Sequence, residues 1–369
     1  MSNPIFIARQ DTLENDILPA QWLSHYKLFG EESYTFQDKE IWKKLCMSRA
    51  AANDRDMHAE ALEEMLTTFS AEHTGKWMLT VYGMDAAVLE GLATMAAVAG
   101  NGTAMAAVVD NALLMHAITN SQTAMRAITN SQTAMRAIAN SQTAMQRIAN
   151  STTAMDAIGG SKIARDAVQA SPYYDAKIKE NDMAIAKLVV GFANLESARY
   201  SGCAGMAADS TAMTAVAASS TAMTAVAASG VALKAIAQAY KKTANMLQFL
   251  KAVNASDTLV KRIYSTLTNA TALFGAAQLG SQDSVENANS WATTSAAPNA
   301  FLACACGYYG SSSDSVSVTY NGTVIAQKKT GTAKPGSVTS TNVNAITMAP
   351  STFTENGDGY LAVQKFTAK

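Results

Sequence analysis

Aromatic residues are missing from a long central part of this sequence. Between Tyr82 and Tyr173 there is no phenylalanine, tyrosine or tryptophan, although the whole chain contains 10 Phe, 12 Tyr and 4 Trp. Aromatic side chains supply much of the buried area of an ordinary globular core. The central part therefore relies on Ala, Met, Ile and Val, which give only thin apolar cover.

An excess of charge of either sign is also missing. The chain has 28 Lys and Arg against 29 Asp and Glu, a net charge of −1, which excludes a basic footprint for nucleic acid. No run of about 18 apolar residues is free of polar interruption, so we expect no membrane span. The first ten residues lack the basic and apolar regions of a signal peptide.

Cysteine and histidine are few and scattered. The spacing of Cys46, Cys203, Cys304 and Cys306 fits neither a zinc site nor a disulfide framework, so we expect folding in a reducing compartment. No recognised nucleophile or metal motif contains any of the four histidines. We therefore predict no catalytic, cofactor-binding or metal-binding residues and expect a protein that is not an enzyme.

The sequence contains instead a short phrase that recurs every ten residues. It reads Met125-Arg-Ala-Ile128 in one copy and Met135-Arg-Ala-Ile138 in the next, and a second array repeats it from Cys203 onwards. A fixed period indicates an extended array of similar structural units, which builds length rather than a catalytic pocket. The predicted repeat core is Met95, Met105, Met115, Met125, Ile128, Met135, Ile138, Met145, Ile148, Met155, Met213 and Met223.

Three architectures are compatible with this period. Ala and Met favour helix, but ten residues make roughly 2.8 turns, so a continuous helix would rotate its apolar stripe by roughly 80° per repeat. Pairs such as Asn130-Ser131 place a stop and a start signal between repeats. We favour a helical bundle or overwound coiled coil of several chains over a rod of short helices broken at Asn-Ser, or a β-solenoid. One repeat cannot bury its apolar face alone, so we expect a homo-oligomer.

The C-terminal part changes its period. Val316, Val318 and Tyr320 alternate with polar residues up to Asn321-Gly322, a strong hairpin signal. We expect a small separable β domain that folds as a cluster of subunits, with the strand of Cys304 and Cys306 near their common axis. Tyr308 and Tyr309, flanked by glycines, are the candidate receptor contact, since tyrosine gives large and rigid contact area.

The predicted fold is mainly α and elongated, with a helical head, a helical repeat shaft and a sandwich-like all-β end. The predicted domains are a helical head (1–82), a first repeat array (83–170), a joint at which the second repeat register starts (171–202), a second array with a helical continuation (203–275), a Gly/Ser/Asn-rich linker (276–300) and the β domain (301–369).

The repeat units NSQTAMRAIT and SSTAMTAVAA, together with this order of domains, resemble the tail fibres or appendage proteins of tailed bacteriophages. The resemblance implies a virion protein, assembled in the host cytoplasm, whose head binds other virion proteins. It also implies an oligomeric shaft, commonly a trimer, and an end that meets a receptor on the host surface. A bacterial surface adhesin, or another repeat-bearing structural protein, is the alternative. A glycan-cleaving spike is less favoured, because it would need carboxylate pairs on a long β-rich body.

Overall fold

A computed structural model describes most of the chain from Leu92 onwards. The predicted helical head lies outside the described residues, and so does Tyr309. The chain divides into two compact units, Met1–Ile178 and Lys179–Lys369, which are treated separately below. The described residues are 92, 95–239, 243–282, 290–292, 299–308, 315–329, 337–348, 351–356 and 359–369.

The described part of the first unit consists of short helices joined by corners of one or two residues, followed by a four-residue helix. Most of these helices have eight or nine residues, so each ten-residue repeat supplies one helix and one corner. The helices are α1 (Met95–Gly100), α2 (Gly102–Asp110), α3 (Ala112–Asn120), α4 (Gln122–Thr129), α5 (Gln132–Ala139), α6 (Gln142–Ala149), α7 (Thr152–Gly160), α8 (Lys162–Gln169) and α9 (Tyr174–Lys177).

Asn-Ser pairs mark the corners from α3 to α7, and Asn101, Asn111 and Ser161 mark the other corners of the array. At the start of α5, the Ser131 hydroxyl accepts a hydrogen bond from the backbone N–H of Ala134 at 3.2 Å, as a helix N-cap does. The backbone N–H of Ser131 in turn donates to Ile128, closing the last turn of α4. The stop and start signals read from the sequence therefore act at the residues that carry them.

The corners fold the array into a coil with three helices per turn. Each helix packs on its neighbours in sequence and on the helix three positions away, so that α4 lies on α1, α5 on α2 and α7 on α4. One coil thus takes thirty residues. The 80° rotation that makes a continuous ten-residue stripe unworkable disappears, because the chain changes direction at every repeat.

The core of this coil is built by four positions in each repeat. In α4 the buried residues are Ala124, Met125, Ile128 and Thr129, and the corresponding positions of α5 and α6 are also buried. Two adjacent pairs separated by one helical turn give a wide inward face, wider than Met and Ile alone would provide. All twelve residues of the predicted repeat core are buried, with at most 3% of each exposed.

Within the described residues, this array is neither a continuous coiled coil nor a β-solenoid. Its local structure matches the remaining architecture, a series of short helices broken at Asn-Ser. The favoured bundle of several chains is also not what buries the repeat core, since neighbouring repeats of one chain do so. The reason is the sharp corner, which brings helices thirty residues apart into contact.

The second unit begins with a similar coil. Here α13 packs on α10, α14 on α11, α15 on α12 and α16 on α13, and the axes of α12 and α13 differ in direction by 105°. A 3-10 turn, Ser197–Arg199, follows α10. The helices are α10 (Asp182–Phe192), α11 (Cys203–Ala208), α12 (Ser210–Ala218), α13 (Ser220–Ala228), α14 (Gly230–Gln238), α15 (Thr243–Asn254) and α16 (Asp257–Asn269).

Two four-stranded antiparallel sheets complete the second unit, with orders β1-β8-β3-β6 and β2-β7-β4-β5. The predicted hairpin is confirmed, because Asn321 and Gly322 both have positive φ and join β4 to β5. The strands are β1 (Phe274–Gln282), β2 (Ser290–Ala292), β3 (Ala300–Tyr308), β4 (Ser315–Tyr320), β5 (Thr323–Lys329), β6 (Val343–Met348), β7 (Ser351–Asn356) and β8 (Gly359–Ala368).

The sequence-based division of this region needs two corrections. The predicted linker contains β2 and most of β1, and β1 pairs with β8 along its length, a partner that local composition cannot reveal. The β domain is also not set apart from the helices, since α14, α15 and α16 all contact its strands. Every residue from Phe301 to Cys306 is buried within this one chain, so no cluster of subunits is needed to cover β3.

Candidate functional site

The most regular polar feature of the first unit is a row of serine hydroxyls at its corners, called here the serine ladder. Each hydroxyl donates to the backbone carbonyl of the residue 32 positions earlier, in the preceding coil. The bonds join Ser131 to Ala99 (2.5 Å), Ser141 to Val109 (3.3 Å), Ser151 to Thr119 (2.5 Å), Ser161 to Thr129 (2.6 Å) and Ser171 to Ala139 (2.5 Å).

Each hydroxyl of the ladder also accepts a hydrogen bond from a backbone N–H two or three residues later, and that of Ser151 makes a third bond, to the Asn120 side chain. The Ser131 hydroxyl accepts from the backbone N–H of Ala134, in the first turn of α5. It donates to the carbonyl of Ala99, near the C-terminal end of α1 in the preceding coil. The last carbonyls of a helix have no partner within it. The ladder thus satisfies groups at both kinds of helix end and fixes the register of successive coils.

The outer faces of the array are polar and carry few charges. Arg126 and Arg136 are exposed at equivalent repeat positions, as is Asp166, while Asp156 is half-buried. Lys162 and Asp166 form an exposed ion pair one helical turn apart. Such exposed pairs contribute about 0–1 kcal/mol, so the array is held by its core and its corners rather than by surface charge.

Carboxylates support the corners of the second unit. Both oxygens of Glu180 accept from backbone N–H groups at the start of α14, those of Gly230 and Val231, at 3.1 Å each. Asp182 accepts from the N–H of Cys203 at the start of α11. A Cβ at Gly202 would overlap the Asp182 carboxylate, so a larger residue there would have to displace that side chain.

Asp209 caps α12 in the place that serine occupies elsewhere. Its carboxylate accepts from the N–H groups of Thr211 and Ala212 and from the Tyr200 hydroxyl, which lies at 2.9 Å. The Tyr200 hydrogen bond, with help from the backbone ones, lowers the pKa of Asp209 below its ordinary value. Burial, reinforced by the Asp209 hydrogen bond, raises the pKa of Tyr200.

The buried thiols and the buried Lys187 have packing or anchoring positions. Burial raises the pKa of Cys203, and the nearby Asp182 adds to the shift, so the thiolate is disfavoured. Cys304 and Cys306 are buried on β3. Lys187 is 1% exposed, and its ammonium donates to the carbonyl of Ser197, which ties the 3-10 turn to α10.

Two side chains join the last helices to the first sheet. Asn254 of α15 donates to the carbonyl of Ile346 at 2.7 Å and accepts from its N–H at 3.0 Å. Ile346 lies on β6, an edge strand, so the amide of Asn254 completes the edge as a further strand would. Tyr264 of α16 donates to the carbonyl of Val338 at 2.7 Å, and its ring packs edge-on against Phe366.

Of the candidate receptor contacts, Tyr308 is the last residue of β3 and pairs with Gly359, whereas Tyr309 lies outside the described residues. No sequence signal pointed to Asn254 or Tyr264, whose partners are 92 and 74 residues away. The serines were recognised as helix caps. Their second role, as donors to the coil below, depends on the three-helix coil and is not visible in any single repeat.

Neither comparison with known proteins gives this chain a family. No protein-family model and no curated protein sequence matches it. In the parts of the chain that the structure describes, no cluster of three or more His, Cys, Asp or Glu side chains could hold a metal ion. No single helix described is long and apolar enough to cross a membrane, although α12 and α13, sharply bent, together have the length and composition.

Proposed function

We propose that this chain is a structural scaffold in which the decapeptide arrays form an elongated shaft. The observation that carries the proposal is the serine ladder, which repeats the same inter-coil hydrogen bond at five successive corners. A structure that repeats one contact at each step can be extended without any change in its cross-section. That property suits a spacer, and the proposal assigns no reaction and no cofactor to the chain.

The place proposed for this scaffold is the virion of a tailed bacteriophage, as a fibre or another appendage. The support is the likeness of the repeat units, NSQTAMRAIT and SSTAMTAVAA, to those of such appendages. In this proposal the N-terminal residues attach to other virion proteins and the C-terminal β region faces a receptor on the host surface. Self-association, with a trimer favoured, would then be made by surfaces other than the repeat core.

Immunoelectron microscopy of phage particles and of uninfected cells tests the location of the protein. Antibodies against the purified chain should label appendages of phage particles and leave uninfected cells unlabelled. Labelling of the surface of uninfected cells would replace the proposal by that of a bacterial surface adhesin. Negative-stain images of the purified full-length chain test the shaft, because a compact particle without a long axis would exclude a spacer.

Adsorption of the labelled full-length chain to host cells tests the role of the β region. The Tyr308→Ala/Tyr309→Ala double variant should bind more weakly if these tyrosines make the receptor contact. The matched control is Tyr173→Ala, a tyrosine in the first unit. Equal adsorption of a folded double variant and the control would move the contact away from Tyr308 and Tyr309.

A further inference from the structure

Two decapeptides in the second array are identical in sequence but occupy different places in the coil. Residues 210–219 and 220–229 both read STAMTAVAAS. The first supplies α12 and the second supplies α13, and three positions, those of the first Ala, the Met and the Val, are buried in both. In α13 Ala225 and Ala227 are buried as well, whereas their counterparts Ala215 and Ala217 in α12 are half-buried. One sequence therefore forms the same helix at two successive positions of the coil, although its neighbours differ.

The corners that join these units are also nearly identical. The N-cap residues Ser131, Ser141 and Ser151 have φ between −108° and −106° and ψ between 117° and 120°. Ser219 and Ser229 in the second unit have φ of −105° and ψ of 111° and 118°. Ser121 and Asp209 have φ of −92° with ψ of 115° and 118°, which is the same extended region of the backbone. A similar local geometry thus recurs where the chain changes direction.

On the acceptor side, the hydrogen bonds between coils depend on spacing and not on residue identity. The acceptor of each ladder bond is a backbone carbonyl, which any residue in that position provides. The donors Ser131 and Ser161, for example, reach an alanine and a threonine carbonyl respectively. A helix inserted in the ten-residue register would find an acceptor, a donor and a core of the same kind on both sides.

From these observations we infer that the single decapeptide, not the thirty-residue coil, is an interchangeable building unit of the array. Adding or removing one copy at an Asn-Ser corner leaves each helix packed on the one three places away. It also turns everything beyond the corner by about a third of a coil, because three helices complete one turn. Copy number would therefore set both the reach of the array and the direction in which its end faces. This inference concerns the array alone and does not depend on the proposed function.

The test is an insertion series in the full-length chain. One variant carries a second copy of residues 120–129 directly after Thr129, and a matched control carries a second copy of 120–124 there, which breaks the register. A third variant carries three additional copies of 120–129 there, an insertion of thirty residues that adds one full coil. We expect the ten-residue and thirty-residue insertions to melt within a few degrees of the parent, and the five-residue insertion to melt clearly lower.

Cross-linking reports which helices are stacked. In the parent, Arg126→Cys on α4 and Asp156→Cys on α7 should be joined by a short bis-maleimide, since helices in contact lie about 8–10 Å apart. In the ten-residue insertion, with the cysteine in the first copy, α4 should stack on α6 instead. The efficient cross-link should then move to Gln146→Cys, as identified by mass spectrometry.

Each alternative outcome overturns the inference. If the 126–156 cross-link remains the efficient one after the ten-residue insertion and none forms at 146, the new copy has looped out and is not a building unit. If only the thirty-residue insertion keeps the parent stability, the coil is the unit rather than the decapeptide. If the five-residue insertion is as stable as the ten-residue one and keeps the parent cross-link, the register of ten has no special role.

Discussion

At the scale of single residues, the ladder serines are the side chains on which the register of the coils depends. Ser131→Ala removes the cap of α5 and the bond to Ala99, which contribute about 0.5–2 and about 0.5–1.5 kcal/mol respectively. We expect the opening free energy of the α5 amides to fall by about 1–3 kcal/mol in native-state hydrogen exchange. The control is Thr133→Ala, an exposed position of the same helix, which should change it by less than about 0.5 kcal/mol. Equal effects of the two substitutions would show that the serine ladder does not stabilise the array.

Asp209 gives the second unit a pH dependence that the serine corners lack. Because its pKa is lowered in the folded state, Asp209 contributes stability that is fully present above the unfolded value of about 3.9. This contribution is lost as the pH falls through the lowered folded value. Asp209→Ser introduces the serine cap found at the neighbouring corners. It should reduce the loss of unfolding free energy on acidification, measured by urea unfolding between pH 2.5 and pH 6. An unchanged pH profile in Asp209→Ser would show that the carboxylate has no such role.

At this scale the sequence predicts the hydrogen bonds made within one repeat but not those made between repeats. Ser131 is recognisable as a cap because its acceptor role is fulfilled three residues away. Its donor role requires Ala99, which is 32 residues away and reaches the serine only when three helices close a coil. Local propensity has no information about that closure, and neither does the spacing of any single repeat.

At the scale of the helix, the inner and outer faces of α5 should respond very differently to the same charge. Met135 is fully buried and Thr133 is exposed, two residues earlier. Met135→Asp buries an unpaired carboxylate and should cost of order 3 kcal/mol or more. Thr133→Asp places the same carboxylate in the first turn of the helix, where a negative charge is favourable. A melting temperature lowered equally by both substitutions would contradict the assignment of the faces.

At Ile346 the contact between α15 and the first sheet includes both hydrogen bonds of one side-chain amide, that of Asn254. Asn254→Ala leaves the N–H and carbonyl of Ile346 without their side-chain partner, at a cost of about 1–3 kcal/mol for each buried group. We expect faster hydrogen exchange of the β6 amides in Asn254→Ala. Asn269→Ala, at the exposed end of α16, is the matched control and should leave β6 unchanged. Unaltered β6 exchange in Asn254→Ala would mean that this edge is held by other contacts.

The elements themselves were predictable to different degrees. The helices, the hairpin at Asn321-Gly322 and the antiparallel β content follow from local signals, and the structure confirms them. The linker prediction failed at β1, whose Gly- and Ser-containing sequence becomes a strand through pairing with β8. The burial of β3 on both faces could not be read from local sequence either, because α14, which packs against β3, ends at Gln238, far before β3 begins at Ala300.

At the scale of the whole molecule, one chain buries its own repeat core. The thin cover expected from Met and Ala suggested that other chains must complete the core. In the described residues the three-helix coil completes it instead, and the predicted core residues are buried without a second copy. We therefore expect any oligomer of the protein to join arrays that are already folded.

Dilution of the full-length chain, followed by mass photometry and far-ultraviolet circular dichroism, tests this claim most directly. The account predicts that the helical signal and the melting temperature of the array stay constant from micromolar concentration down to the concentration at which only monomers remain. The Met135→Asp variant serves as the reference for an array whose core is disrupted. A helical signal that is lost in step with dissociation would show that other chains complete the core, and would contradict the account.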